Sequence, residues 1–353
     1  MIEKRNLTLD FAKGFALIFM IVQHFSVWLW EGYSKSTSVA SENPIYFAAI
    51  SLSAFSAPLF IFCAGSGASF FMEKYRDHKK IVKRGVLLII TGYILNLLIT
   101  SWFTPASWYV LHLIGFAFIT VPLLSVIKSW QRIILFWLIF GLSIVFQTLL
   151  NTPYSINSPR MGDLELSLPF LRFAFVEGHF PVLPWLAFFI FGYNGAQDIA
   201  QNRYRKLLLQ GAILWLIAAI FASMAIFTDL AELNPFISRI VTIRIRFYPV
   251  LGPAFLFLTG SVPFLIYIFH FAVKHFGFFS AWMVSIGRIS LSVFAAHLFV
   301  KQLVYNSDMG GEFSKVFTIS VTVAVLVFCV LAERLWSMVY YRFGLEWLIR
   351  KFS

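Results

Sequence analysis

Long apolar stretches recur along the whole chain, and short polar or basic segments separate them. A helix needs about 20 mostly apolar residues to cross a bilayer. Ten stretches approach or exceed that length: 9–30, 46–72, 84–103, 107–127, 132–150, 180–197, 207–228, 249–273, 281–303 and 315–340. The pattern predicts an all-α polytopic membrane protein, a bundle of about ten transmembrane helices that forms one domain over residues 1–353. The sixth stretch is the least regular, because it contains two prolines in HFPVLPW.

Composition agrees with this pattern. Only 12% of the 353 residues are charged and 59% are hydrophobic, whereas about 25% of the residues of a soluble domain are charged. The first apolar stretch is followed by no small-residue cleavage site, so we expect it to be the first span and not a signal peptide.

Lys and Arg are distributed unequally between the predicted loops. If the N-terminus is cytoplasmic, nineteen of the 28 lie at inner ends and eight at outer ends, while Arg288 lies within a span. Cytoplasmic loops carry an excess of Lys and Arg, so both termini are predicted to lie inside. The net charge of +12 then reflects topology in a lipid membrane, and no nucleic-acid partner is predicted. The basic loop 73–84 has the same explanation; alternatively, it anchors a cytosolic phosphate-bearing donor through Lys83 and Arg84.

Three ionisable residues interrupt the first span: Asp10, Lys13 and His24. Each costs about 2.5 kcal/mol or more inside a bilayer, so such residues indicate a function. At ~100° per residue, Lys13 and His24 lie within roughly 20° of one another, and Asp10 within about 40° of His24. The helical rise separates Lys13 from His24 by ~16 Å, so we expect the three to share a stripe without contact. This excludes an Asp–His relay within the helix but allows an elongated ligand, such as a pantetheine arm, with its anionic end at Lys13 and its reactive end at His24.

Other polar residues are predicted in the same outer half of the membrane. His112 begins the fourth span, His297 lies near the outer end of the ninth, and Glu177 and His179 begin the sixth. A cluster of imidazoles is a candidate acid–base site at neutral pH. The alternative for His112 and His297 is an interhelical hydrogen bond without catalytic function.

Arg288, in the inner third of the ninth span, needs a carboxylate, a helix end or a ligand phosphate. An ion pair with Glu333 on the tenth span is slightly favoured over a phosphate-binding role. No HExxH or CxxC motif occurs, and Cys63 and Cys329 lie in apolar runs as expected for buried small residues. The sequence therefore predicts no metal site.

Several segments resemble, in order, those of the transmembrane acyltransferase superfamily. The opening helix, RNLTLDFAKGFALIFMIVQH, combines an Arg, a Leu-Asp pair, a basic residue before Gly and a His. The later segments are SAPLFIFCAGSGASFF, KRGVLLIITGYILNLL, YVLHLIGFAFI, HFPVLPWLAFFIFGY and IGRISLSVFAAHLF. The HFPVLPW segment is most similar to the branch of heparan-alpha-glucosaminide N-acetyltransferase and its prokaryotic relatives, and the acyltransferase-3 branch is second. Lys13 stands where the family usually has Arg. A lysine keeps the positive charge but cannot bind a phosphate with two parallel hydrogen bonds as an arginine does.

This resemblance implies transfer of an acyl group, most simply acetyl, from cytosolic acetyl-CoA to an amine or hydroxyl of an extracytoplasmic envelope saccharide. It implies His24 as the catalytic base, with His297 or His112 as orienter or oxyanion donor. An acyl-imidazole intermediate on His24 is the alternative mechanism.

The resemblance implies Asp10, Lys13 and Arg5 as binding residues, and predicted position and charge add Lys83, Arg84, Arg288, Glu177 and His179 as candidates. Asp10, Lys13 and Arg5 would organise the donor's phosphates at the inner end, together with Lys83, Arg84 and Arg288. Glu177 and His179 would contact the saccharide. For a prokaryotic relative, the compartment implied is the cytoplasmic membrane.

Two rival functions remain open at this point. A transporter or flippase would also need a buried polar path, but the spans show no inverted repeat with paired broken helices. A structural or assembly subunit would tolerate substitution of His24, Asp10 and Lys13. The sequence leaves the acceptor, N- against O-acylation, chain length and oligomeric state open, a homodimer included.

Overall fold

A computed structural model describes residues 6–31, 48, 51–153, 170–227, 233–244, 248–307 and 313–353. Of these described residues, 83% are helical. The helices of the described residues are α1 (Leu7–Leu29), α2 (Ser56–Tyr75), α3 (His78–Leu98), α4 (Val110–Val126), α5 (Ser129–Leu149), α6 (Phe170–Arg172), α7 (Val182–Ala200), α8 (Tyr204–Phe227), α9 (Pro235–Val241), α10 (Gly252–His275), α11 (Gly277–Arg288), α12 (Ser290–Asn306), α13 (Lys315–Met338) and α14 (Leu345–Phe352). A 3₁₀ turn, Ser53–Phe55, precedes α2, and a π turn, Phe173–Glu177, follows α6.

The described helices confirm the prediction of an all-α membrane protein. Seven are long and apolar enough to cross a bilayer, and nine spans result if two bent pairs each count as one. The bent pairs correspond to the predicted sixth span, with a 50° bend before α7, and the ninth, with a 76° bend between α11 and α12. The predicted fourth span is α4, which has only 17 residues. Each of the ten predicted stretches thus contains a helix, but three are short or broken.

The chain forms two compact units. The first comprises Met1–Phe60, Ile99–Trp102 and Ile268–Phe352. At its centre α1 packs closely on α11 through Gly14 and Gly287. A Cβ atom on Gly14 would lie 1.9 Å from the carbonyl oxygen of Met283, and one on Gly287 would lie 1.8 Å from that of Asp10. The two backbones can approach this closely only because neither residue has a side chain.

The break between α11 and α12 is held by the C-terminal helix of the same unit. Glu346 of α14 accepts hydrogen bonds from the backbone N–H groups of Leu291 (2.8 Å) and Ser292 (3.1 Å) and from the Ser292 hydroxyl (2.5 Å). The carboxylate thus satisfies N–H groups in the first turn of α12, which lack partners within the helix. This contact fixes the start of the helix that carries His297.

The second unit comprises Ile61–Leu98, Phe103–Tyr267 and Ser353. Its core contains large side chains of α7 and α10, among them Trp185, Phe188 and Phe255, which are fully buried. Ser66 of α2 donates a hydrogen bond of 2.9 Å to the carbonyl oxygen of Gly192 on α7. The packing of aromatic rings around these helices makes a rigid support for the polar residues described below.

Candidate active site

Two of the predicted histidines meet in the first unit. Nδ1 of His24, on α1, lies 3.0 Å from Nε2 of His297, on α12. Their ring centroids are 5.3 Å apart and the rings are nearly parallel. His297 is 2% exposed, whereas His24 is only partly buried. The pair therefore has one enclosed member and one that a substrate can reach.

The hydrogen bonds of the pair fix its tautomers when both rings are neutral. Nδ1 of His297 bonds to the backbone carbonyl oxygen of Phe294. A carbonyl only accepts, so this nitrogen carries the proton and Nε2 of His297 is an acceptor. His24 must then donate from Nδ1, which leaves the lone pair on its Nε2. No described residue makes a hydrogen bond to that Nε2, so it is a base available to a ligand.

Two tryptophans enclose the histidine pair. The Trp28 ring lies 5.0 Å from His24 and stacks on His297 at 5.8 Å, and the edge of Trp102 meets Trp28 at 5.5 Å. Trp28 is 2% exposed, and its indole N–H has no hydrogen-bond partner among the described residues. The ammonium of Lys301, one turn beyond His297, lies 5.9 Å from the Trp102 ring centre. The rings restrict rotation of both imidazoles.

Sequence reasoning missed these neighbours. Trp28 follows His24 by four residues and therefore shares its helix face, a signal that was available. Trp102 belongs to a loop that is far from His24 in sequence. The backbone N–H of the preceding residue, Ser101, donates a hydrogen bond of 3.0 Å to the side-chain oxygen of Gln302, which holds this loop in place. No local pattern could have found that contact.

The N-terminal end of α1 differs from the prediction in one respect. Asp10 and Lys13 form an ion pair of 2.7 Å, so the expectation that they do not touch was wrong. Residues three apart are neighbours on a helix surface, which explains the pair. The Asp10 carboxylate is 3% exposed and the Lys13 side chain 27% exposed. A ligand anion would reach the Lys13 ammonium more easily than it would approach Asp10. Arg5 lies outside the described residues.

Arg288 makes the ion pair that was slightly favoured. Its guanidinium lies 3.4 Å from the Glu333 carboxylate, which also accepts a hydrogen bond of 2.6 Å from the Tyr341 hydroxyl. Burial raises the pKa of Tyr341, and the hydrogen bond to Glu333 raises it further. Tyr341 therefore stays protonated and donates. A carboxylate already compensates Arg288, which weakens the case for a phosphate there.

His112 belongs to the second unit. Its Nδ1 accepts the backbone N–H of Tyr109 at 3.2 Å at the start of α4. The ring stacks on Trp108 at 5.4 Å and meets the edge of Tyr93 at 4.4 Å. A Cβ atom on Gly92 would lie 2.7 Å from its Nε2. These contacts support a packing and helix-capping role.

Glu177 and His179 also lie in the second unit, at the bend of the sixth span. Glu177 accepts hydrogen bonds from Thr152 (2.5 Å) and from two guanidinium nitrogens of Arg172 (2.6 and 2.7 Å). The His179 ring is buried against Tyr248, with centroids 4.6 Å apart. Internal partners therefore occupy the Glu177 carboxylate, which would have to exchange them to bind a saccharide.

The basic pair on α3 lies near the start of that helix. Lys83 is exposed. Arg84 donates from Nε to the Ser353 hydroxyl at 3.1 Å, and its guanidinium lies 4.4 Å from the centre of the Phe71 ring. Of the two, only the Lys83 side chain is exposed enough to meet a soluble anion without rearrangement. Within the described residues, no group of three His, Cys, Asp or Glu could hold a metal ion.

Comparison with known proteins identifies the family. Residues 5–217 match the model of the heparan-alpha-glucosaminide N-acetyltransferase catalytic domain. The match includes α1 with His24 and ends within α8, before the helix that carries His297. No curated protein matches the chain. Since the family match covers more than half of the sequence, the chain belongs to the heparan-alpha-glucosaminide N-acetyltransferase catalytic family and is a membrane acetyltransferase.

Proposed function

We propose that the protein transfers an acetyl group from cytosolic acetyl-CoA to an amine or hydroxyl of an extracytoplasmic saccharide, with Nε2 of His24 as general base. The observation that carries this proposal is the 3.0 Å hydrogen bond between His24 and His297. It leaves the lone pair on the one imidazole nitrogen of the pair without a partner among the described residues. A general base needs such a lone pair within reach of the acceptor.

The proposed reaction is direct. As the acceptor nitrogen or oxygen attacks the thioester carbonyl, Nε2 of His24 takes its proton. The carbon–sulfur bond then breaks, and the imidazolium returns the proton to the departing thiolate, so that free CoA and the acetylated acceptor are formed. In the alternative, Nε2 attacks the thioester carbonyl, the carbon–sulfur bond breaks and CoA leaves as the thiolate. The acceptor then attacks the acetyl-imidazole, and its proton passes to the thiolate as His24 is released.

His297 acts on this reaction through His24. Once His24 is protonated, its Nδ1–H donates to Nε2 of His297 with charge assistance, and such bonds are roughly twice as strong as neutral ones. The Phe294 carbonyl keeps His297 in the accepting tautomer. His297 is therefore a positioning residue that stabilises the imidazolium. Its burial excludes water from this hydrogen bond.

The other end of α1 fits the donor's anionic end. Lys13 lies ~16 Å from His24 along the helix axis, a distance that follows from the rise per residue. Its pairing with Asp10 fixes the ammonium at one position. The pantetheine arm of the donor would then run along α1 to His24. The donor's phosphates would bind at one end of the helix, and the acetyl group would react at the other.

The test uses membrane vesicles with the cytoplasmic face outward, radiolabelled acetyl-CoA and glucosamine as acceptor. We expect His24→Ala to abolish acetyl-glucosamine formation, with a loss of about 10²–10⁴-fold as is usual when a general base is removed. His275→Ala is the matched control, since His275 is an exposed histidine at the end of α10. Undiminished transfer by the His24 variant would contradict the assignment.

A further inference from the structure

A cleft with a volume of about 160 Å³ lies among α5, α7 and α8, all within the second unit. Most of the lining is apolar and includes Phe136, Trp137, Phe191 and Ile213. The proposed acetyl transfer does not use this cleft, so its occupant is a separate question.

The polar lining residues lie at one end of the cleft. Arg132 is in the first turn of α5, Asn194 is six residues before the end of α7, and Gln210 is six residues after the start of α8. The 1.5 Å rise per residue places all three about 5–9 Å from their helix ends. The apolar lining residues lie about one turn further along each helix. The cleft is therefore amphipathic, with a polar mouth and an apolar floor.

The polar mouth has unused hydrogen-bonding capacity. Arg132 donates from Nε to Asn194 (3.0 Å) and from Nη1 to the carbonyl oxygens of Leu124 (2.9 Å) and Ile127 (2.8 Å). Within the described chain, Nη2 of Arg132 makes no hydrogen bond, and neither does the side chain of Gln210. Among the described residues, none of those that line the cleft is an Asp or a Glu. A cation without a carboxylate partner, beside amide donors, suits an anionic group.

The floor of the cleft opens toward lipid. Ile133 and Ile213, which line it, are 46% and 49% exposed. Both belong to helices that qualify as membrane spans. A soluble anion would fill only the polar mouth, whereas a lipid would place its headgroup at the mouth and its acyl chain along the apolar floor.

We propose that this cleft binds one anionic membrane phospholipid. Its phosphate accepts hydrogen bonds from Nη2 of Arg132 and the amide of Gln210, and one acyl chain lies against Phe136, Trp137 and Ile213. The charge distribution along the sequence predicts that the mouth faces the cytoplasm, so the lipid belongs to the inner leaflet. This site would stabilise the packing of α5, α7 and α8, whose polar ends it bridges.

Native mass spectrometry of the detergent-purified protein tests the site with phosphatidylglycerol and phosphatidylcholine as probes. We expect the wild type to retain one phosphatidylglycerol about tenfold more tightly than phosphatidylcholine, because both lipids carry the phosphate but the choline ammonium of phosphatidylcholine would be repelled by Arg132. Ile213→Trp fills the cleft and should abolish the bound lipid. Leu216→Trp is the control, because Leu216 lies on the same helix, is 62% exposed and does not line the cleft.

A second measurement tests the proposal without the Ile213→Trp variant, in case that variant fails to fold. Brominated phosphatidylglycerol in nanodiscs should quench Trp137 more strongly than brominated phosphatidylcholine does, with the Trp137 signal taken as the difference between wild type and Trp137→Phe. Equal retention and equal quenching by the two lipids would overturn the proposal. So would a bound lipid that survives in a folded Ile213→Trp variant.

Discussion

The hydrogen bond between the two histidines predicts a graded loss of activity when its acceptor is removed. His297→Phe keeps an aromatic ring of similar size against Trp28 but takes away the nitrogen that lies 3.0 Å from Nδ1 of His24. His24 and its free Nε2 remain in place. The reaction should therefore become slower without stopping, because the base is retained and only its support is lost.

The magnitude follows from the change in this hydrogen bond during the reaction. A neutral hydrogen bond contributes about 0.5–1.5 kcal/mol and one to a charged group about 1.5–3 kcal/mol. Only the difference of about 1–1.5 kcal/mol develops as His24 is protonated, and about 1.4 kcal/mol is tenfold in rate. Without a fixed tautomer, about half of the His24 rings carry the proton on the wrong nitrogen, which costs about another twofold. We expect kcat to fall about 10–30-fold and the KM for acetyl-CoA to change little.

The assay is acetyl transfer to glucosamine at saturating donor, with kcat and KM measured separately for wild type, His297→Phe and His24→Phe. His24→Phe should lose about 10²–10⁴-fold, more than His297→Phe. His275→Phe controls for the introduced ring. Thermal melts are needed alongside, since His297→Phe removes the hydrogen bond from His297 to the Phe294 carbonyl, at a cost of about 0.5–1.5 kcal/mol in stability. A folded His297→Phe enzyme with kcat within twofold of wild type would refute the reasoning, and so would a loss equal to that of His24→Phe.

Three further substitutions test other parts of the first unit. Lys13→Ala should raise the KM for acetyl-CoA about 10–100-fold with kcat nearly unchanged, if one charge-assisted contact to the donor is lost; an unchanged KM would exclude Lys13 from donor binding. Gly14→Ala places a methyl group 1.9 Å from the Met283 carbonyl oxygen, so it should destabilise the protein by about 1–3 kcal/mol. Thermal melting measures this loss, and Gly67→Ala is the control because a Cβ atom there meets nothing within 4 Å. Glu346→Gln should weaken the cap of α12 by about 0.5–2 kcal/mol, seen as faster amide exchange at Leu291 and Ser292.

Hydropathy predicted the positions of the membrane helices because the requirement for apolar length is local. The bend before α7 was also signalled by its prolines. The break between Arg288 and Ser290 gave no such signal, and the carboxylate that caps the helix after it, Glu346, lies more than 50 residues further along the chain. A sequence window cannot show that a distant carboxylate satisfies the first turn of a helix.

The candidate site divides in the same way. Helical phase placed Asp10, Lys13 and His24 on one stripe, and the rule for residues three apart would also have found the Asp10–Lys13 ion pair. The contact between His24 and His297 joins residues 273 positions apart. It depends on how α12 turns after its break and on the depth at which it then lies beside α1. The charge distribution predicted only the depth of each residue, and no sequence pattern showed the direction in which each ring faces.

The separation along α1 gives the proposed function a consequence that other functions lack. If donor recognition lies at Lys13 and proton transfer at His24, substitutions at the two ends of one helix must change different kinetic constants. Binding energy lost equally from the bound substrate and the transition state raises KM, and an interaction made only in the transition state lowers kcat. A structural role for α1 would move both constants together through stability. If α1 supports acetyl transfer in this way, substitutions near Lys13 should change KM and substitutions near His24 should change kcat. The losses from changing Lys13 and His297 together should be additive, because the two residues are too far apart to interact directly.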